Sequence, residues 1–132
     1  MPPPNRHPAL SWIAKADEDI EAVELCLTAK DRLTNVAAFH AQQAAEKLLK
    51  VLIASTGGEP PRTHDLSELT ERASASLPEV RVLAERIEGI TSWAVLTRYP
   101  SLGDTPPPTA VEIEAMLHPI RQLRGFAAGK AS

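Results

Sequence analysis

The run Pro61-Arg62-Thr63-His64-Asp65-Leu66 puts an arginine, an imidazole and a carboxylate within a few positions of one another. An imidazole with one ring nitrogen held by a carboxylate or a backbone group has a defined tautomer, and it can exchange a proton at the other nitrogen. A neighbouring cation can stabilise charge on a phosphate. Asp65 also has a structural use, because Glu68 follows three residues later ahead of an apolar helical pattern, which makes a capping box and leaves His64 as a turn residue. Arg98-Tyr99-Pro100 offers a similar choice. The arginine can fork onto a phosphate while Tyr99 stacks on a base, or it can bond the last carbonyls of a helix that the proline ends. Lys47 and Lys50 either solvate a helix face or line an anion-binding groove together with Arg62 and Arg98.

Other chemistries find no support. His7, His40, His64 and His118 show no H-x3-H spacing or other ligand spacing on one helix face, so no metal site is expected. The single Cys26 excludes an internal disulfide and a cysteine-based zinc site, and it reads as a packing residue. Gly57-Gly58 lacks the Lys-Ser/Thr of a phosphate-binding loop, so no nucleotide hydrolysis and no cofactor are expected. A net charge of −3 disfavours a generic nucleic-acid binder. The charge is uneven, however: residues 1–29 and 65–97 each carry −3, residues 30–64 carry +2 and residues 98–132 carry +1. An anion site must therefore be local, drawn from residues 30–64 and 98–132, with the acidic first segment kept away by repulsion. No apolar run approaches the ~20 residues of a membrane span, and the start lacks a secretory signal's apolar region. A cytoplasmic protein is expected.

The elements that position these residues follow from the 12 prolines, which, Pro119 apart, cluster at 2–8, 60–61, 78, 100 and 106–108 and leave stretches of helical length between them. Ile13, Ala16, Ile20, Val23 and Leu27 step by three and four along a first, acidic helix. Ala38, Ala41, Ala45, Leu48 and Leu52 do so along a second, and Ala37, Ala44 and Val51 widen its stripe enough to bury a second surface. The polar side of this helix carries Gln42, Glu46 and Lys50 in one i, i+4 row and His40, Gln43 and Lys47 in the next, with Glu46 placed to pair with Lys50. Asp65 opens a short third helix. Ser76 with Glu79 suggests a second capping box, opening a fourth helix with Val80, Leu83, Ile87, Ile90 and Ala94 in step. Thr109 with Glu112 suggests a third box, opening a fifth helix that Pro119 should kink. Trp12 and Trp93 lie beside their stripes and are expected to be buried at the bundle edge or in a dimer contact. No strand is predicted. The fold class is all-α: an up-and-down bundle of four long helices and one short one over residues 9–127, with flexible ends at 1–8 and 128–132.

Phe39-His40-Ala41-Gln42-Gln43-Ala44-Ala45-Glu46-Lys47-Leu48-Leu49-Lys50, then Pro61-Arg62-Thr63-His64-Asp65-Leu66, then Arg98-Tyr99-Pro100, resembles the HEPN domain (higher eukaryotes and prokaryotes nucleotide-binding) in the order and separation of three motifs. The resemblance covers about residues 9–127. It implies a helical bundle, usually a homodimer, associated with nucleotide or RNA binding and often encoded beside a minimal nucleotidyltransferase. Some members are metal-independent ribonucleases of toxin-antitoxin systems that use an arginine followed after four to six residues by a histidine. None of the four histidines here has that spacing.

The expected function is thus a non-catalytic HEPN-type module that binds nucleotide or RNA, a nucleotidyltransferase partner, or both, in a toxin-antitoxin or defence setting. Its ligand-binding residues would be Lys47, Lys50, Arg62, His64, Arg98 and Tyr99. The rival is a metal-independent endoribonuclease with His64 as acid/base and Arg62 or Arg98 on the phosphate. A purely structural dimeric interaction domain is the third reading. The broad apolar circumference of the second helix predicts that the homodimer packs there.

Overall fold

The computed structural model describes residues 8–29, 33–87, 89–90, 93 and 108–131. The proline-bounded stretches form α1 (Pro8–Thr28), α2 (Thr34–Ser55), α3 (Leu66–Ser76), α4 (Glu79–Glu85) and α5 (Ala110–Ala131). The protein is all-α, as its periodicity predicts, and there is no strand among the described residues. Helix α2 lies at the centre, packed against α1, α3 and α5, while α1 also meets α5, and α4 lies against α3 and α5. Small side chains permit this: Ala37, Ala38, Ala41, Ala44 and Ala45 are fully buried and let neighbouring helices approach closely.

The wide apolar circumference of α2 is consumed inside this one chain. Ala37, Ala44 and Val51 all belong to its own core, because a helix touched by three others buries more than one stripe. That face is not available to a second copy. Among the described residues the large apolar side chains still exposed are Leu10, Trp12, Leu25, Leu33, Val36, Val82 and Val111.

Termini follow local chemistry. Helix α2 ends in a Schellman motif, in which the Gly57 N–H donates to the Ala54 carbonyl at 3.0 Å and the Gly58 N–H to the Ile53 carbonyl at 3.1 Å. Gly57 adopts the left-handed φ of 86° that this motif requires. Asp65 caps α3 by accepting from the Ser67 N–H at 2.9 Å, and its own N–H donates to Thr63 Oγ1 at 3.1 Å. Thr109 and Glu112 form the full reciprocal box at 3.2 Å each way. The box expected from Ser76 and Glu79 does not form. Ser76 is the last residue of α3, and Pro78, with its φ already near helical, takes the N-cap of α4 without a side-chain bond.

Helix α4 is shorter than its apolar pattern. After Glu85 the Ile87 N–H bonds Ala84 and the Ile90 N–H bonds Ile87, turns of three residues that tighten the winding. The buried set accordingly runs Val80, Ala84, Ile87, Ile90 and Trp93, while Leu83 is only half-buried. Ala94 lies outside the described residues. Helix α5 runs on through the buried Pro119, which donates no hydrogen to the carbonyl one turn back.

Candidate functional site

The polar rows of α2 are organised by two buried carboxylates. Glu46, with a side chain only 6% exposed, is the hub of the first group. Its Oε1 accepts from Lys50 Nζ at 3.0 Å and from His64 Nδ1 at 2.9 Å. Its Oε2 accepts from Gln42 Nε2 at 3.2 Å and Gln43 Nε2 at 3.4 Å. Gln42 also donates to the His64 carbonyl at 3.2 Å, so side chain and backbone of His64 are both fastened to α2. The His64 side chain is nevertheless 81% exposed. An ionised carboxylate can only accept, so Nδ1 carries the proton and Nε2, at the far edge of the ring, is the nitrogen an incoming group meets.

Asp19 of α1 is the second hub. Its Oδ1 accepts from His40 Nδ1 at 2.8 Å and its Oδ2 from Lys47 Nζ, tying α1 to α2 with an ion pair that is 9% exposed on the acid side. The His40 ring meets Phe39 edge-on at 5.5 Å. Gln43 lies in the same polar row as His40 and Lys47, and it reaches the first hub by donating to Gln42 Oε1 at 2.7 Å. No buried side-chain polar atom among the described residues lacks a partner, and no group of three or more His, Cys, Asp or Glu among them is arranged to hold a metal ion.

A profile of the HEPN domain matches residues 9–129. The chain belongs to the HEPN domain family. It is also similar to the crystal structure of TT1696 from Thermus thermophilus, with 28% identity over 92% of this chain and 97% of that one and a TM-score of 0.73. A search of curated proteins found no match. Family membership supports a nucleotide- or RNA-related module in general.

Within this HEPN chain, Lys47, Lys50 and His64 come together on one polar face of α2 and its following loop, but their surroundings differ from the sequence expectation. The carboxylate that orients His64 is Glu46, not Asp65, which is spent on the α3 cap. Lys47 and Lys50 are committed to Asp19 and Glu46 and do not project as free charges. Repulsion does not keep the acidic first helix away from the site: its Asp19 pairs with Lys47. Arg62 is exposed and makes no ion pair among the described residues. Arg98 and Tyr99 lie outside the described residues. His118 is exposed on α5.

Two further acids of α1, Asp17 and Glu24, hold α5. Asp17 accepts from both Nε and Nη2 of Arg124 at 2.9 Å, and Glu24 pairs with Arg121. The hydrogen bonds to Asp17 hold the Arg124 guanidinium above its ordinary pKa, so its charge persists at every pH at which the protein would be studied. The sequence did not reveal Asp19 as a partner of His40, because that contact depends on how α1 rolls against α2. Glu46 was better signposted: it stands four residues before Lys50 and four after Gln42.

Proposed function

We propose that this HEPN chain is a non-catalytic module that binds a nucleotide or single-stranded RNA through the face formed by α2 and the Arg62–His64 loop. One observation carries the reading. Lys50 shares the very oxygen, Glu46 Oε1, that holds His64. Its charge is spent on that carboxylate and is not aimed at a reacting phosphate, which favours binding over cleavage. What remains suits recognition: His64 Nε2, the unused hydrogens of Lys50 and the exposed guanidinium of Arg62 are directional groups. Arg98 and Tyr99 complete the proposed set with a forked phosphate contact and a stacking ring. A homodimer, a nucleotidyltransferase partner, a toxin-antitoxin role and a cytoplasmic location belong to the same proposal.

A second reading is favoured by a different observation. A buried carboxylate on Nδ1 of an exposed imidazole is how a general base is held, which supports an endoribonuclease with His64 as acid/base and Arg62 or Arg98 on the phosphate. Incubating single-stranded RNA with the protein in chelator separates the two. Binding without cleavage above a His64→Ala control is expected. Robust cleavage lost in that variant would establish the enzyme.

A further inference from the structure

Beside the Glu46 cluster, on the opposite side of Lys50, is a small crevice of about 150 Å³ lined by Ala9, Trp12, Lys50, Val51, Ala54 and Pro60. Its walls are almost wholly apolar, and among the described residues it opens to solvent. Trp12 is 41% exposed although it is the largest aromatic on α1, and Lys50 Nζ stands 5.8 Å from its ring centroid. Lys50 therefore has two roles at once, closing the crevice with its aliphatic stem and touching Glu46 with its ammonium.

Three features of the crevice converge on one occupant. Its volume is about that which admits a single six-membered aromatic ring. Indole is the best π-platform among side chains, and stacking on it tolerates any base. The polar groups lie at one end only, since Lys50 leads to Glu46 and His64, and Pro60 leads along the chain to Arg62.

We infer that the Trp12–Lys50 crevice is a base subsite that takes the ring of a pyrimidine nucleotide, with the sugar and phosphate directed toward His64 and Arg62. The inference rests on the nucleotide-binding reading above and gives it a substrate class. The base lies against Val51, Ala54 and Pro60 and takes the Trp12 face that the Lys50 ammonium now covers from 5.8 Å. A purine leaves its second ring in solvent and gains less from the crevice.

The test is a titration of the full chain with UMP, AMP, ribose 5-phosphate and oligouridylate, read by calorimetry and by the Trp12 indole N–H resonance. Three proteins are compared: wild type, Trp12→Phe, which keeps a ring, and Ala54→Leu, which fills the crevice from below. For wild type, UMP is expected to bind at least about tenfold more tightly than ribose 5-phosphate and to shift the Trp12 signal, a factor in keeping with one base stacked on an aromatic ring. Ala54→Leu should lose that advantage while still binding ribose 5-phosphate, and Trp12→Phe should keep most of it. Equal affinity for UMP and ribose 5-phosphate, tighter binding of AMP than UMP, or an Ala54→Leu variant that binds UMP like wild type would overturn the base subsite and leave the binding reading intact. No binding of any nucleotide or oligouridylate by wild type would overturn both.

Discussion

Lys50 and Arg62 carry the same charge a short distance apart, and their surroundings give them opposite consequences. The Lys50 side chain is 11% exposed and bonded to a carboxylate that is itself buried, so Lys50→Ala leaves Glu46 with Gln42, Gln43 and His64 as its remaining donors. Breaking one side of a buried pair costs about 3–5 kcal/mol, and the remaining donors should hold the loss to about 2 kcal/mol. Chemical denaturation measures it, and the double variant Glu46→Gln/Lys50→Met should recover most of the loss. An unchanged denaturation midpoint in Lys50→Ala would mean the pair contributes nothing. Arg62 is exposed, so Arg62→Ala should leave stability within about 0.5 kcal/mol of wild type while weakening nucleotide or RNA binding. Arg98→Ala should weaken binding by about 1–3 kcal/mol with no fall in melting temperature. Binding unchanged with a lower melting temperature would make Arg98 a helix-capping residue and remove it from the site.

Helix ends show where local sequence suffices. Gly57 stands at φ 86°, and a Cβ added there meets nothing within 4 Å, so the cost of Gly57→Ala is conformational alone, about 1 kcal/mol. Asp65→Ala should cost about the same by removing the bond to the Ser67 N–H. Thermal unfolding of the two variants checks both, and a Gly57→Ala protein as stable as wild type would argue against the left-handed cap. These ends, like Thr109 with Glu112, were legible because a cap is decided within four residues. Ser76 with Glu79 has the same pattern and misled, because α3 holds its residues through Ser76 and the Leu77-Pro78 link leaves no room for a serine outside both helices. The fourth helix misled for a related reason: an apolar spacing of three, from Ala84 to Ile87, Ile90 and Trp93, satisfies tighter turns as well as it does an α-helix.

For the whole molecule, the proline map and the apolar stripes were enough to predict an all-α bundle, since each stripe must find another to bury it. The site was legible in its inventory and not in its pairing. His64, Lys47 and Lys50 were singled out from one chain segment, whereas Asp19 reaches them from α1, Glu46 is buried by the packing of α2, and Trp12 borders Lys50 across two helices. No local pattern records such contacts. Assembly follows the same lesson: the broad face of α2 that suggested a dimer is filled from within, so the proposed homodimer must use other surfaces. Leu33 and Val36 are exposed at the start of α2, where the Leu33 N–H meets the Cys26 carbonyl, and Leu25 is exposed on α1 nearby in the chain. Sedimentation equilibrium at tens of micromolar should show a dimer that Val36→Asp dissociates, and a wild-type monomer would contradict it. Among the described residues no helix is long and apolar enough to cross a membrane. The role proposed for the polar α2 face is the binding of nucleotide or RNA. The most direct test of that role is to mix wild-type protein and a His64→Ala variant with end-labelled single-stranded RNA in chelator, then read retention and strand length from the same samples. Retained, intact RNA with wild type is the predicted result; RNA shortened by wild type and left whole by His64→Ala would contradict it.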